Sequence, residues 1–198
     1  MTGGAGAGRD FRILILCAAN VCRSPLAEGL LRAELGPGAD VHVTSAGLRV
    51  RAGDRACTTM AAVAGVPVPD STVRQVGPEL LRRADLVLTM TRAQRAAAVN
   101  LAPACVRRTF TLREFAELAA LAAGEPGPAE ARSPGWRLDA LAAAAPRFRA
   151  RRAAGVHDDI DDAHGHGAMA YARTAGDVRR AVAGIAGLAL DTPAVHRG

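Results

Sequence analysis

The chain has 198 residues, a formal net charge of +6 and a sequence pI near 10.3, with 49% hydrophobic, 22% charged and only 3% aromatic residues. That length suits one domain with its own core, needing no disulfide or metal staple, and no run approaches the ~18 apolar residues of a membrane span. The positive charge comes from arginines scattered along a chain without lysine and not interleaved with aromatic rings, which argues against a nucleic-acid face and for a surface that attracts acidic ligands.

Residues 1–10 are rich in Gly and Ala and lack the basic start, apolar stretch and cleavage site of a signal peptide, so a disordered tail is expected there, and 191–198 read as a C-terminal tail. Ile13 to Leu16 is a continuous apolar run of the kind found in a central parallel strand. It leads into Cys17-Ala18-Ala19-Asn20-Val21-Cys22-Arg23-Ser24, followed by Pro25. A cysteine followed after five residues by an arginine can close a ring of inward N–H groups, with the guanidinium forking onto two oxygens and a helix N-terminus behind it. Such a ring binds a phosphate dianion and favours a thiolate at its mouth. Asn20 sits where a left-handed backbone is needed, Ser24 is placed to cap the next helix and Pro25 to open it.

Leu26, Leu30 and Ala33 share a face of that helix, which Gly36-Pro37 ends. Val41 and Val43 alternate with His42 and Thr44, predicting a second strand into Ser45-Ala46-Gly47. A helix over Arg55–Ala64, a Pro-containing loop, a short helix over Pro78–Ala84 and a third strand over Leu86–Met90 come next. Thr91 caps a helix over Arg92–Val99, Val106–Phe110 reads as a fourth strand, and Leu112, Phe115, Leu118 and Leu121 fall at helical spacing. Residues 124–156 have loop composition with a helix over Leu138–Ala145 and a basic stretch, Arg147–Arg152, and are expected to form a loop-rich surface insertion. A long helical pattern from Ala168 to Leu190 closes a domain spanning 11–190. Strands alternating with helices predict an α/β, three-layer fold with a four-stranded parallel sheet, and Cys17 and Ser45 then fall at the carboxyl rim where such sheets bind ligands.

The run from Ile13 to Glu28 resembles the signature of the low-molecular-weight protein tyrosine phosphatases, a flavodoxin-like family, in its cysteine, asparagine, second cysteine, arginine, serine, proline and helix glutamate. Thr44-Ser45-Ala46-Gly47, Arg74-Gln75, the run Ala84 to Thr91 and the acidic cluster near Asp162 extend the likeness. The resemblance implies a cysteine-dependent phosphomonoester hydrolase working through phosphocysteine, without cofactor or metal. Cys17 would be the nucleophile, Arg23 and the loop Ala18–Ser24 the phosphate cradle, and Asp162 the general acid with Asp161 as its rival. Asn20 and Ser45 would hold the loop by hydrogen bonds, Ser24 would donate to Cys17, and Glu28 would brace the loop. Cys22 is either a redox partner of Cys17 or an inert buried thiol, and Cys57 and Cys105 read as core or surface thiols. A thiol that has to stay reduced suits a reducing cytoplasm.

Leu48, Val50 and His164 stand at the pocket-wall positions, where the family places aromatic rings, and Ala163 replaces the proline after the aspartate. The resemblance makes phosphorylated protein the first substrate class, and these departures make a small phosphate ester the second. Other readings of the same scaffold are a thiol-dependent arsenate reductase, which needs two further relay cysteines, and a catalytically weak phosphate-binding module. The sequence leaves the oligomeric state open.

Overall fold

The computed structural model describes residues 9–65, 73–125, 133–152 and 157–190. Parallel strands β1 (Phe11–Cys17), β2 (Val41–Gly47), β3 (Leu86–Thr89) and β4 (Thr109–Thr111) form one sheet in the order β2-β1-β3-β4. The helices are α1 (Arg23–Leu35), α2 (Thr58–Ala64), α3 (Pro78–Arg83), α4 (Arg92–Leu101), α5 (Leu112–Ala123), α6 (Pro134–Ala144) and α7 (Ala168–Leu190). None of the described helices is long and apolar enough to cross a membrane.

From Ile13 to Cys17, β1 is apolar because both of its faces are covered. Ile13, Ile15 and Cys17 enter a large core with α1, α5, α6 and α7, while Leu14 and Leu16 enter a smaller one with Leu81 of α3, Ala98 of α4 and Cys105. Each fully buried aliphatic side chain contributes about 1.5–3 kcal/mol. β1 pairs with β2 from Phe11↔Val41 to Cys17↔Gly47 and with β3 from Ile13↔Leu86 to Leu16↔Thr89. Its carboxyl end is thus the point where the chain order reverses and a crevice opens.

Several expected boundaries move, each for a local reason. α1 begins at Arg23 with Cys22 in the capping position and no side-chain cap, so Ser24 is not the cap and Pro25 is not the first helical residue. α2 starts at Thr58 rather than Arg55. The fourth strand loses its first half because Pro103–Arg108 winds into a 3-10 helix, leaving only Thr109–Thr111 to pair with β3.

The stretch 124–156 departs most from its composition. Within it α6 and a 3-10 helix over Ala145–Arg151 pack inward, with Leu138 and Ala145 fully buried and Phe148 nearly so. Ser133 caps α6, and Asp40 accepts hydrogen bonds from the Ser133 hydroxyl and from Gly135 N–H at 2.9 Å. Gly135 is required there, since a Cβ would lie 2.7 Å from the Asp40 carbonyl. Three of the four arginines of the basic stretch form ion pairs, Arg149 with Glu114 at 2.9 Å, Arg151 with Glu125 at 2.7 Å and Arg152 with both Glu117 and Asp158. The expected tails over 1–8 and 191–198, the Pro-containing loop over 66–72, and residues 126–132 and 153–156 lie outside the described residues.

Candidate active site

The loop leaving β1 is organised around two atoms, the Cys17 sulfur and the Asn20 amide. Cys17 Sγ accepts from Asn20 N–H at 3.2 Å and from the Ser24 hydroxyl at 3.0 Å, so two donors converge on one sulfur. Asn20 takes the left-handed conformation at φ 59° and is the only described non-glycine residue with positive φ, so Ala19 is accommodated without that strain. Its side chain donates to Ser24 Oγ at 3.0 Å and Ser45 Oγ at 2.8 Å and accepts from Arg74 N–H at 2.9 Å. Ser45 in turn donates to Glu28 Oε2 at 2.6 Å. Asn20, Ser24, Ser45 and Glu28 are all buried, and each finds partners within this network, as burial demands.

Gly47 explains how the second strand comes so close. A Cβ there would sit 2.7 Å from the Ala19 carbonyl carbon and 2.8 Å from Asn20 N. With hydrogen in its place, Leu48 N–H donates to Cys17 O at 3.0 Å and Arg49 N–H to Ala18 O at 2.7 Å. The Arg74-Gln75 pair supports the same edge, Arg74 O accepting from Gly47 N–H at 2.7 Å and Gln75 bridging to Gly47.

Arg23 is almost wholly buried at the start of α1, and its guanidinium is aimed by Ile160 O at 2.9 Å from Nη1. Nη2 pairs with Asp162 Oδ2, whose side chain stays 48% exposed and whose Oδ1 accepts from the His164 backbone N–H at 3.2 Å. Of the neighbouring acids, Asp158 is tied to Arg152 and Asp159 accepts from Arg92 N–H at 2.7 Å. Asp161 is exposed, its carbonyl accepting from Thr174 Oγ1 at 3.2 Å, and it does not line the crevice.

That crevice is a cavity of about 550 Å³ bounded by Cys17, the loop through Arg23, and Asp162. Val50 and His164 line it, as the sequence suggested, but Leu48 does not. Leu48 packs instead against the smaller core, because the chain leaving β2 turns its side chain to the opposite face. Arg49, Arg51 and Asp54 line the mouth and were missed, since charged loop residues carry no pattern that separates them from a solvated surface. Cys22 Sγ lies 3.4 Å from His164 Nδ1, and burial, followed by the adjacent Cys57 thiol, pushes the Cys22 thiol well above its ordinary pKa. Cys105 is fully buried, its thiol facing Ala98 O at 3.9 Å.

Comparison with known proteins bears on this arrangement. The family model described as low molecular weight phosphotyrosine protein phosphatase matches residues 12–134, stopping before Asp162. A probable low molecular weight protein-tyrosine-phosphatase, EpsP of Ralstonia nicotianae, is 37% identical over 106 residues, covering 52% of this chain and 71% of that protein. Among solved structures, the YwlE arginine phosphatase of Geobacillus stearothermophilus superimposes with a TM-score of 0.63 at 24% identity, covering 89% of this chain and 90% of that one. The tyrosine phosphatase AmsI of Erwinia amylovora gives 0.62 at 22% identity, covering 92% and 94%. Likenesses at that identity speak for the three-layer fold, and the sequence matches carry the kinship. The chain belongs to the low molecular weight phosphotyrosine protein phosphatase family, whose members are cysteine-dependent hydrolases.

Proposed function

We propose that residues 11–190 form one phosphatase domain in which Cys17 is the nucleophile, Arg23 and the 18–24 backbone hold the phosphate, and Asp162 is the general acid. The observation that carries this reading is the meeting of a twice hydrogen-bonded Cys17 sulfur, a buried guanidinium and an exposed carboxylate on one crevice. A substrate phosphate takes the place of Asp162 on Arg23 Nη2. The thiolate attacks phosphorus, the ester P–O bond breaks, and the departing oxygen takes the proton from Asp162. Asp162, now a carboxylate, accepts a proton from water as that water attacks phosphocysteine, returning inorganic phosphate and the thiolate. Loop amides and Arg23 bear the charge on the three equatorial oxygens throughout. Asn20, Ser24, Ser45 and Glu28 keep the loop in shape.

Phosphotyrosine protein is the substrate class the family relationship favours. A small phosphate ester is the second reading, favoured by a crevice whose described walls carry Arg49, Val50, Arg51 and His164 where a phenyl ring would want aromatic faces. The requirement for a reduced thiol favours a reducing compartment such as the cytoplasm. The deciding experiment is a hydrolysis assay across aryl and alkyl phosphates. Cys17→Ser is expected to be inactive on all of them, and Asp162→Asn to lose about 10²–10⁴-fold on poor leaving groups while keeping most activity on an activated aryl phosphate. Activity of Cys17→Ser equal to the parent, or a uniform response of Asp162→Asn across leaving groups, contradicts the assignment.

A further inference from the structure

Beside the phosphate loop three metal-ligating side chains from three different parts of the chain converge: Cys22 at the start of α1, Cys57 at the start of α2, and His164 two residues beyond Asp162. Their ligand atoms all lie within 4.8 Å of one another, and Cys22 Sγ is 3.4 Å from His164 Nδ1. A tetrahedral zinc ion, with Zn–S about 2.3 Å and Zn–N about 2.0–2.1 Å, spaces such atoms about 3.5–3.8 Å apart. The cluster is therefore close to a Cys₂His site before any ion arrives. The phosphatase cycle uses neither sulfur.

We propose that Cys22, Cys57 and His164 form a zinc site that, when filled, holds the enzyme inactive. Two thiolates and a neutral imidazole suit Zn²⁺ in charge and in softness. The site is also supported from outside. Cys57 Sγ lies 3.8 Å from the Tyr171 hydroxyl, an outer partner of the kind that orients a metal-bound sulfur, and Cys57 N–H donates to Val21 O at 2.8 Å, tying that residue to the phosphate loop. Cys22 and His164 line the crevice, so an ion reaches them through it, leaving a fourth position for water. Both thiol protons pass to solvent on binding.

The consequence for activity follows from His164. The backbone N–H of His164 donates to Asp162 Oδ1 at 3.2 Å, and Asp162 is paired with Arg23. An ion bridging His164 to the base of the loop pins Asp162 on Arg23, keeping the guanidinium fork on a carboxylate instead of an incoming phosphate. The metal site stands whether or not Cys17 is the nucleophile, and only the inhibition rests on the proposed catalytic roles.

The test titrates the reduced full chain with Co²⁺ and with Zn²⁺ alone. One Co²⁺ per chain is expected, with a sulfur-to-metal charge-transfer band and the visible bands of tetrahedral cobalt, displaced by Zn²⁺. Cys57→Ser is expected to weaken uptake by more than about a hundredfold, the upper range for losing an outer partner only, and His164→Ala to weaken it likewise, while Cys17→Ser keeps it. Metal-free Cys57→Ser is expected to match the parent in activity, which shows that it folds, and to resist the zinc inhibition seen in the parent. Absence of stoichiometric uptake, uptake unchanged in Cys57→Ser, or uptake lost in Cys17→Ser overturns the site. Equal inhibition of parent and Cys57→Ser by zinc overturns its regulatory role.

Discussion

The two loops that meet at the crevice are held by opposite means. The 17–24 loop is fixed by polar groups buried with their partners, every one of Asn20, Ser24, Ser45 and Glu28 hydrogen-bonded in series. The loop carrying Asp162 is pinned by apolar pegs on either side, Ile160 at 0% and Ala163 at 1% exposure, with Ile160 N–H donating to Met90 O at 2.8 Å and Arg152 clasping Asp158. A polar network specifies geometry tightly because each missing bond strands a buried partner, whereas an apolar peg fixes position and leaves the residue between the pegs free to swing. In the roles proposed above, the first suits a cradle that matches phosphate, and the second a carboxylate that leaves Arg23 and reaches a leaving oxygen.

That contrast can be broken from either side. Asn20→Ala strips two donors and one acceptor from the cradle and puts alanine in a left-handed backbone, so about a hundredfold loss of kcat/KM is expected, equal for good and poor leaving groups. A leaving-group-dependent loss would show that the loops are not separable. Ile160→Ala removes a peg, with an expected cost of about 2–5 kcal/mol in denaturant unfolding and an activity loss concentrated on poor leaving groups. Asp158→Ala leaves Arg152 with one carboxylate fewer; both side chains are nearly buried, at 10% and 11% exposure, so about 3 kcal/mol of stability is expected to go while the cradle's response to good leaving groups stays.

The smallest effect belongs to Asp40, remote from both loops. Burial works against its carboxylate, but the Ser133 hydroxyl and Gly135 N–H that donate to it prevail and hold its pKa below the usual value of about 3.9. A group depressed in the folded state stabilises above its unfolded pKa and loses that contribution as pH falls through the folded value. The Tm gap between the parent and Asp40→Asn should therefore be constant near neutrality and close only in strongly acidic solution. A gap that persists at the acid end would mean that the asparagine disturbs the α6 start for another reason.

Residue order alone determined the cradle. Strand, Cys17, Asn20, Arg23 and helix follow without a gap, and a ring closed by neighbours in sequence needs only local backbone preferences to be read. The apolar run of β1 likewise announced a strand covered on both faces. Tertiary structure decided what depends on residues far apart: that Asp162 rather than Asp161 faces Arg23, 139 positions away, that Leu48 turns from the crevice while Arg49 and Arg51 line it, and that Cys57 joins Cys22. It also gave the helix expected over Leu138–Ala145 an earlier start at Pro134 and drew it inward with the 3-10 turn that follows, because Leu138 and Ala145 found a core supplied by other elements. Local propensity is written in neighbouring residues, but a contact across a hundred positions exists only once burial of the whole core has set the elements against each other.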